Sequence, residues 1–195
     1  IVVGVLAVCV PTFFIVLTLI IQDKFPFIHS YQLGRIMGWL YPDKYPDIAY
    51  QQQNSIMAIG SGLLWGKGLG NTDPTSVKNG KFILEPQNDF IFAIVVEELG
   101  LVGAVLILLI FALLVWRGIT LSLRSKDNFG KLLGIGLTSQ IGLQVILNIL
   151  VITDWLPNTG ISLPFFSYGG SSLIMLLAQM GLVLSVSRTA NIEKQ

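Results

Sequence analysis

The chain has 195 residues, 53% hydrophobic and only 12% charged, with a formal net charge of +1 and a mean hydropathy of +0.73. A soluble domain carries roughly 25% charged residues, so this composition excludes an ordinary water-soluble globule and describes a polytopic membrane protein. Near-neutral charge offers no basic field for nucleic acid, and Cys9, the sole cysteine, has no partner for an intrachain disulfide.

Residues 1–21 are uncharged and long enough to cross a bilayer, which takes about 20 mostly apolar residues. Pro11 predicts a kink within them. The run opens on Ile1 with no basic stretch before it, so it does not read as a signal peptide. The chain reads instead as a fragment cut at or near the start of a span. Residues 22–88 form a long segment between spans, first rich in aromatic and turn residues such as Tyr31, Trp39, Tyr41, Pro42, Tyr45 and Pro46. Residues 48–64 are helix-compatible but too polar for a free-standing span. They suit a re-entrant or surface-lying helix, since irregular backbone at membrane depth must be buried in protein or line a wet cavity. Gly66-Lys67-Gly68-Leu69-Gly70 then opens a polar loop to Asn88.

A second span is expected over residues 90–116, a third over 132–153 and a fourth over 165–187. Trp116 and Trp155 fall at span ends, where amphipathic rings favour the interface. The connection 117–131 carries Arg117, Arg124, Lys126 and Lys131, and the tail 188–195 carries Arg188 and Lys194; residues 154–164 have neither Lys nor Arg. Positive-inside pairing predicts 117–131 and 188–195 to be cytoplasmic and 154–164 extracellular. Four spans then put both ends in the cytoplasm and residues 22–88 outside, because long loops cross largely regardless of charge. The predicted fold is a single all-α integral membrane domain of four transmembrane helices.

Several residues can carry chemistry. Asp89 sits where the second span begins; it reads as a helix N-cap or as an interfacial carboxylate serving as general base or cation ligand, and the two are compatible. Glu97 and Glu98 lie about 12 Å further along the helix. Ionisable groups inside a span usually face a cavity or a partner: Glu97 projects within roughly a quarter turn of Asp89 and can share its cavity, while Glu98 falls opposite and suits a structural pairing with another helix. Gln140, Gln144 and Asn148 recur every four residues as one polar stripe, either interhelical glue or substrate lining. Arg35 and Lys67 read as solvated surface charges or as a phosphate clamp. Gly66-Lys67-Gly68 lacks the spacing of a Walker loop, and His29 has no metal-ligand spacing around it. Ser167 and Ser171 belong to the small and hydroxyl-rich run 163–172, which lets helices approach closely.

Read in order, Tyr50-Gln51, Gln53, Ala58-Ile59-Gly60-Ser61-Gly62, Gly66-Lys67-Gly68-Leu69, Asp89-Phe90-Ile91-Phe92-Ala93 and Glu97-Glu98-Leu99-Gly100 form one set of motifs. Gln144, Asn148, Pro157, Thr159-Gly160, Leu163-Pro164, Ser167-Tyr168-Gly169-Gly170-Ser171-Ser172 and Arg188 complete it. Over nearly its whole length the chain resembles the C-terminal part of the SEDS family (shape, elongation, division and sporulation), which includes RodA, FtsW and SpoVE. The resemblance implies a peptidoglycan glycosyltransferase that polymerises lipid II into glycan strands at the outer face of the bacterial cytoplasmic membrane. It implies a ten-span fold of which this chain supplies the last four spans, so the fragment alone is expected to be inactive. It makes Asp89 the essential acidic residue and a class B penicillin-binding protein, a transpeptidase, the working partner. Gln87-Asn88 stands where His-Thr often precedes the aspartate, and Pro157-Asn158-Thr159-Gly160 replaces the commoner Pro-Thr-Thr-Gly.

The residues suit that chemistry. Glycan extension needs a sugar hydroxyl to attack an anomeric carbon as a lipid pyrophosphate leaves. Asp89 can take the hydroxyl proton or hold a divalent cation, Mg or Mn, against the pyrophosphate; no other cofactor is expected. Lys67 and Arg35 can add positive charge near the leaving group, and Glu97, Gln144, Asn148, Ser167 and Ser171 are further candidates to touch lipid II or the growing strand. Two other classes fit: a flippase for a lipid-linked sugar, suited by the polar stripe and intramembrane glutamates, and a non-catalytic scaffold that recruits a transpeptidase through apolar span faces.

Overall fold

The computed structural model describes residues 30–80, 82–83 and 85–188, together with Pro11 and Thr18, both helical. The span expected over 1–21 otherwise lies outside the described residues, as do Cys9, His29 and the tail beyond Arg188. The regular elements described are helices: α1 (Ser30–Leu40), α2 (Pro46–Gly62), α3 (Ile91–Leu123), α4 (Asn128–Ile152) and α5 (Gly170–Arg188). Of these, α3, α4 and α5 are long and apolar enough to cross a membrane, and the chain is a multi-pass membrane protein.

The chain divides into two compact units, Ile1–Ala49 and Tyr50–Gln195. In the first, α1 closes with the Tyr41 amide bonded to the Met37 carbonyl, and the Pro42 turn is held by the Lys44 amide on the Tyr41 carbonyl. A Cβ on Gly38 would lie 2.6 Å from Ile48 Cγ2, so the glycine admits the start of α2 against α1.

In the second unit, α3, α4 and α5 each touch the other two. Small residues set the approach of α3 and α4: a Cβ at Gly118 would meet Thr138 Cγ2 at 2.6 Å, and one at Gly134 would meet Ser122 Oγ at 2.2 Å. Such contacts are the means of helix association in lipid, where burial of apolar surface drives little. The core gathers Ala58, Ile83, Phe90, Phe92, Ala93, Phe111, Val145, Ile152 and Leu163.

The helix ends differ from the hydropathy reading. Helix α3 is two helical runs joined at Gly100, and the run beyond Gly100 to Leu123 is by itself roughly 35 Å long at about 1.5 Å per residue, more than an apolar core of about 30 Å. The helix therefore continues past Trp116 to Leu123. Helix α4 starts at Asn128 rather than 132 because Asp127 caps it, its side chain accepting the Gly130 amide. Helix α5 starts at Gly170 rather than 165. Pro164 precedes a turn in which Phe165 has φ 64°, and the Ser167 amide bonds back to the Leu163 carbonyl.

The polar residues of α2 have a use that its weak apolar face did not announce. Buried Gln52 donates to the carbonyls of Val151 (2.8 Å) and Leu156 (2.7 Å). Ser55 Oγ, also buried, lies 2.8 Å from the Ile152 carbonyl. The last carbonyls of a helix have no partner within it, so α2 caps the end of α4. Asn54 reaches the Phe82 carbonyl at 3.0 Å and ties the long polar loop to the same helix.

Candidate functional site

Asp89 is not the cap of α3. That position is Phe90, which makes no side-chain capping bond; Asp89 lies one residue earlier, in the preceding turn, half-buried. The apolar residues after it hold it in place. Phe90 and Phe92 are 3% and 4% exposed and Ala93 is fully buried, so the Asp-Phe-Ile-Phe-Ala motif is a carboxylate anchored by aromatic rings in the core.

The turn is also clasped from the other side. Asn148 on α4, fully buried, donates its amide to the Asp89 carbonyl (2.8 Å) and the Ile161 carbonyl (2.7 Å). The Tyr168 amide bonds the Gln87 carbonyl at 2.8 Å. Gln144 donates to the Ser162 carbonyl at 2.9 Å, and Ser167 Oγ accepts the Leu163 amide at 2.7 Å. Residues 161–168 thus form a strap between α4 and the turn carrying Asp89. Asn148, Gln144 and Ser167, all candidates to touch substrate, bond here to backbone, and Gln140 bonds Gln179 of α5 at 3.1 Å. The polar stripe is connective along its length. Asn148 Oδ1 has no hydrogen-bond partner among the described residues. Ser171 is exposed in the first turn of α5.

The helical phase that relates Glu97 to Asp89 does not apply, because Asp89 lies outside the helix. The Glu97 carboxylate, 1% exposed, accepts from Lys67 Nζ at 2.7 Å and from the amides of Val77 (2.9 Å) and Lys78 (3.3 Å). Ser61 Oγ stands at 3.4 Å. Glu98 pairs with Lys78, the structural pairing expected of it, though with a loop rather than a helix.

Beside this knot α3 is broken. Gly100 has φ 68° and ψ −172°, a region only glycine occupies readily. In an unbroken helix the amides of Leu101 and Val102 would bond the carbonyls of Glu97 and Glu98. Here both rungs are open and a loop takes all four groups. The Leu63 and Leu64 carbonyls accept from Leu101 (2.9 Å) and Val102 (3.2 Å), while the amides of Lys67 and Gly68 bond Glu97 (2.9 Å) and Glu98 (3.0 Å). A Cβ on Gly66 would lie 2.2 Å from the Glu98 carbonyl oxygen. Gly66-Lys67-Gly68 is therefore the insert of a broken helix, satisfying backbone groups that the break leaves open.

An open cleft of about 450 Å³ lies next to the Asp89 turn, lined by Lys78, Ile83, Glu85, Gln87, Ile91 and Ile94 among others. Near the strap, burial raises the Asp154 carboxyl above its ordinary range. In the polar loop the Thr75 amide, 2.9 Å from Asp73 Oδ1, lowers the Asp73 carboxyl. Arg35 stacks over the Tyr31 ring at 4.6 Å and donates to its hydroxyl; it belongs to the first unit. The described residues bring together no group of three or more His, Cys, Asp or Glu able to hold a metal.

The sequence reading missed Gln52, Ser55 and the break at Gly100. The crowding of Gln51, Gln52, Gln53, Asn54 and Ser55 in a helix-compatible stretch was the available signal for the first two.

A family model for the cell cycle proteins FtsW, RodA and SpoVE matches residues 1–192. The chain belongs to that family. It is 46% identical over 159 residues to stage V sporulation protein E of Bacillus subtilis, covering 81% of this chain and 42% of that protein. It is 40% identical over 159 residues to the peptidoglycan glycosyltransferase MrdB of Escherichia coli, covering 81% and 42%. A solved structure, described as the structural coordination of polymerization and crosslinking by a peptidoglycan synthase complex, matches with a TM-score of 0.66 at 30% identity. That match covers 95% of this chain and 50% of the other. The chain spans about two fifths of the length of the curated relatives it matches.

Proposed function

We propose that the protein to which these residues belong is a peptidoglycan glycosyltransferase that extends glycan strands from lipid II, with Asp89 at its reacting centre. The observation that carries the reading is the mounting of Asp89: a half-buried carboxylate in a turn whose backbone is fixed by Asn148 and Tyr168 and whose flanking rings are buried. A carboxylate so fixed meets the need of a general base to sit within hydrogen-bond reach of the attacking hydroxyl. Lys67, with a side chain still 22% exposed, offers positive charge that binds the pyrophosphate of lipid II. Ser171, exposed in the first turn of α5, is a further candidate to touch the substrate, while Gln144, Asn148 and Ser167 act by holding the strap and the Asp89 turn. Were a divalent cation bound, Asp89 would be the carboxylate to hold it, since Mg²⁺ is commonly bound by one or two carboxylates plus phosphate and water. It would stabilise charge on the leaving group.

In this reading the chain crosses the bacterial cytoplasmic membrane four times, with both ends cytoplasmic and residues 22–88 outside. Helix α2 is re-entrant or lies at the outer surface. A class B penicillin-binding protein cross-links the strand; the similarity to a complex that joins polymerization to crosslinking supports that partner.

The test uses the full-length parent with its transpeptidase in vesicles carrying fluorescent lipid II. The expected product is a ladder of long glycans. Lipid II moved across the bilayer but left unpolymerised would replace this reading with that of a flippase.

A further inference from the structure

One buried carboxylate gathers donors from three separate stretches of chain. Glu97 accepts from Lys67 Nζ, from the amides of Val77 and Lys78 and, more distantly, from Ser61 Oγ. The opened rungs beside Gly100 are filled by Leu63, Leu64, Lys67 and Gly68 of the same loop. That backbone insertion already fixes where the loop crosses α3. The carboxylate adds something different: it fixes the end of a lysine side chain. An ammonium has three N–H donors. One is given to Glu97 at 2.7 Å, and the side chain keeps 22% of its surface, so N–H groups remain for an outside acceptor. A free lysine loses rotamer freedom when it grips a phosphate; here that freedom is lost in advance.

We propose that Glu97 is a positioning residue, holding the Lys67 ammonium and the 77–78 turn so that Lys67 is pre-set to bind the diphosphate of a lipid-linked sugar. This rests on the reading of Lys67 given under Proposed function. Glu97 does not touch the substrate; it acts through Lys67. Glutamine at 97 keeps the shape but loses the charge, and its Nε2 faces the Lys78 amide, donor against donor.

The experiment is a double-mutant cycle in the full-length protein with its partner, reading KM and kcat for fluorescent lipid II. Glu97→Gln and Lys67→Met are each expected to raise KM about tenfold or more with a much smaller change in kcat, the sign of lost ground-state binding. The double variant is expected to be no worse than the worse single one, since the two act as a unit. A wild-type KM in Glu97→Gln, or penalties that multiply in the double variant, overturns the proposal. Should Glu97→Gln fail to fold, Glu97→Asp, which keeps the charge but withdraws it by one methylene, is expected to raise KM at a wild-type melting temperature; an unchanged KM overturns the proposal equally. A wild type that makes no glycan removes the polymerase reading and this proposal together. An active wild type with an indifferent Glu97 removes only the proposal.

Discussion

Replacing Asn148 with leucine in the full-length protein is expected to cost both stability and activity, with activity the more affected. The side chain is fully buried and its amide serves two carbonyls, those of Asp89 and Ile161. Leucine fills a similar volume and donates nothing. Each carbonyl left without a donor costs about 1–3 kcal/mol, so the melting temperature in detergent should fall clearly. The larger loss follows from position. The Asp89 turn would keep its buried rings and the Tyr168–Gln87 bond to the strap but lose its tie to α4, and misplacement by about 1 Å can cost on the order of a hundredfold in rate. Aspartate at 148 should be no better, because a carboxylate would face two carbonyl oxygens. An Asn148→Leu protein that melts and polymerises like wild type would show that Asp89 is placed by something other than this clasp.

Gly100→Ala is expected to be severely damaging for the addition of a single methyl. Two costs combine. The backbone conformation, φ 68° with ψ −172°, carries strain of about 1–3 kcal/mol for a residue with a Cβ. The new carbon would also lie 2.4 Å from both the Gly66 amide nitrogen and the Leu64 carbonyl oxygen, and neither is a flexible side chain that can step aside. If the helix heals by closing its rungs, Leu63, Leu64, Lys67 and Gly68 lose their partners. The expected result is loss of monodisperse protein on size exclusion or a drop in melting temperature well beyond that of Asn148→Leu. Normal melting of Gly100→Ala would mean that the loop does not enter α3 as described.

These two positions also show how unevenly the sequence discloses the structure. The three apolar helices were legible because about 20 apolar residues have few alternatives to crossing a bilayer. Their ends were not. Arg117 reads as the start of a loop, yet one cation does not stop a helix, and α3 runs on to Leu123. In the other direction, Phe165 and Phe166 read as span, but Pro164 and the Ser167 bond hold them in a turn. The stripe of Gln140, Gln144 and Asn148 was visible from its spacing, but its use was open between interhelical glue and substrate lining. Its most consequential bond, to the carbonyl of Asp89 59 residues away, was not visible, because no local pattern encodes a tertiary partner. Glu97 and Glu98 announced themselves as charges in a span. Their partners lie in a loop whose path depends on the break at Gly100, and a single glycine in an apolar run gives no sign of a positive φ.

With Asp89 as the reacting carboxylate, Asp89→Asn should all but abolish polymerisation and spare the fold. Asparagine keeps the size and leaves the backbone carbonyl for Asn148, so the fold should hold, while the capacity to take a proton or bind a cation is lost. Full-length wild type and variant, each with its partner, would be given fluorescent lipid II and the products separated on a gel, with lipid II binding measured alongside. General bases contribute roughly 10²–10⁴-fold. The expected result is a variant that melts like wild type and binds lipid II but makes glycan at least a hundredfold more slowly. Full-length ladders at the wild-type rate from Asp89→Asn would contradict the account and leave Asp89 as a structural residue of the turn.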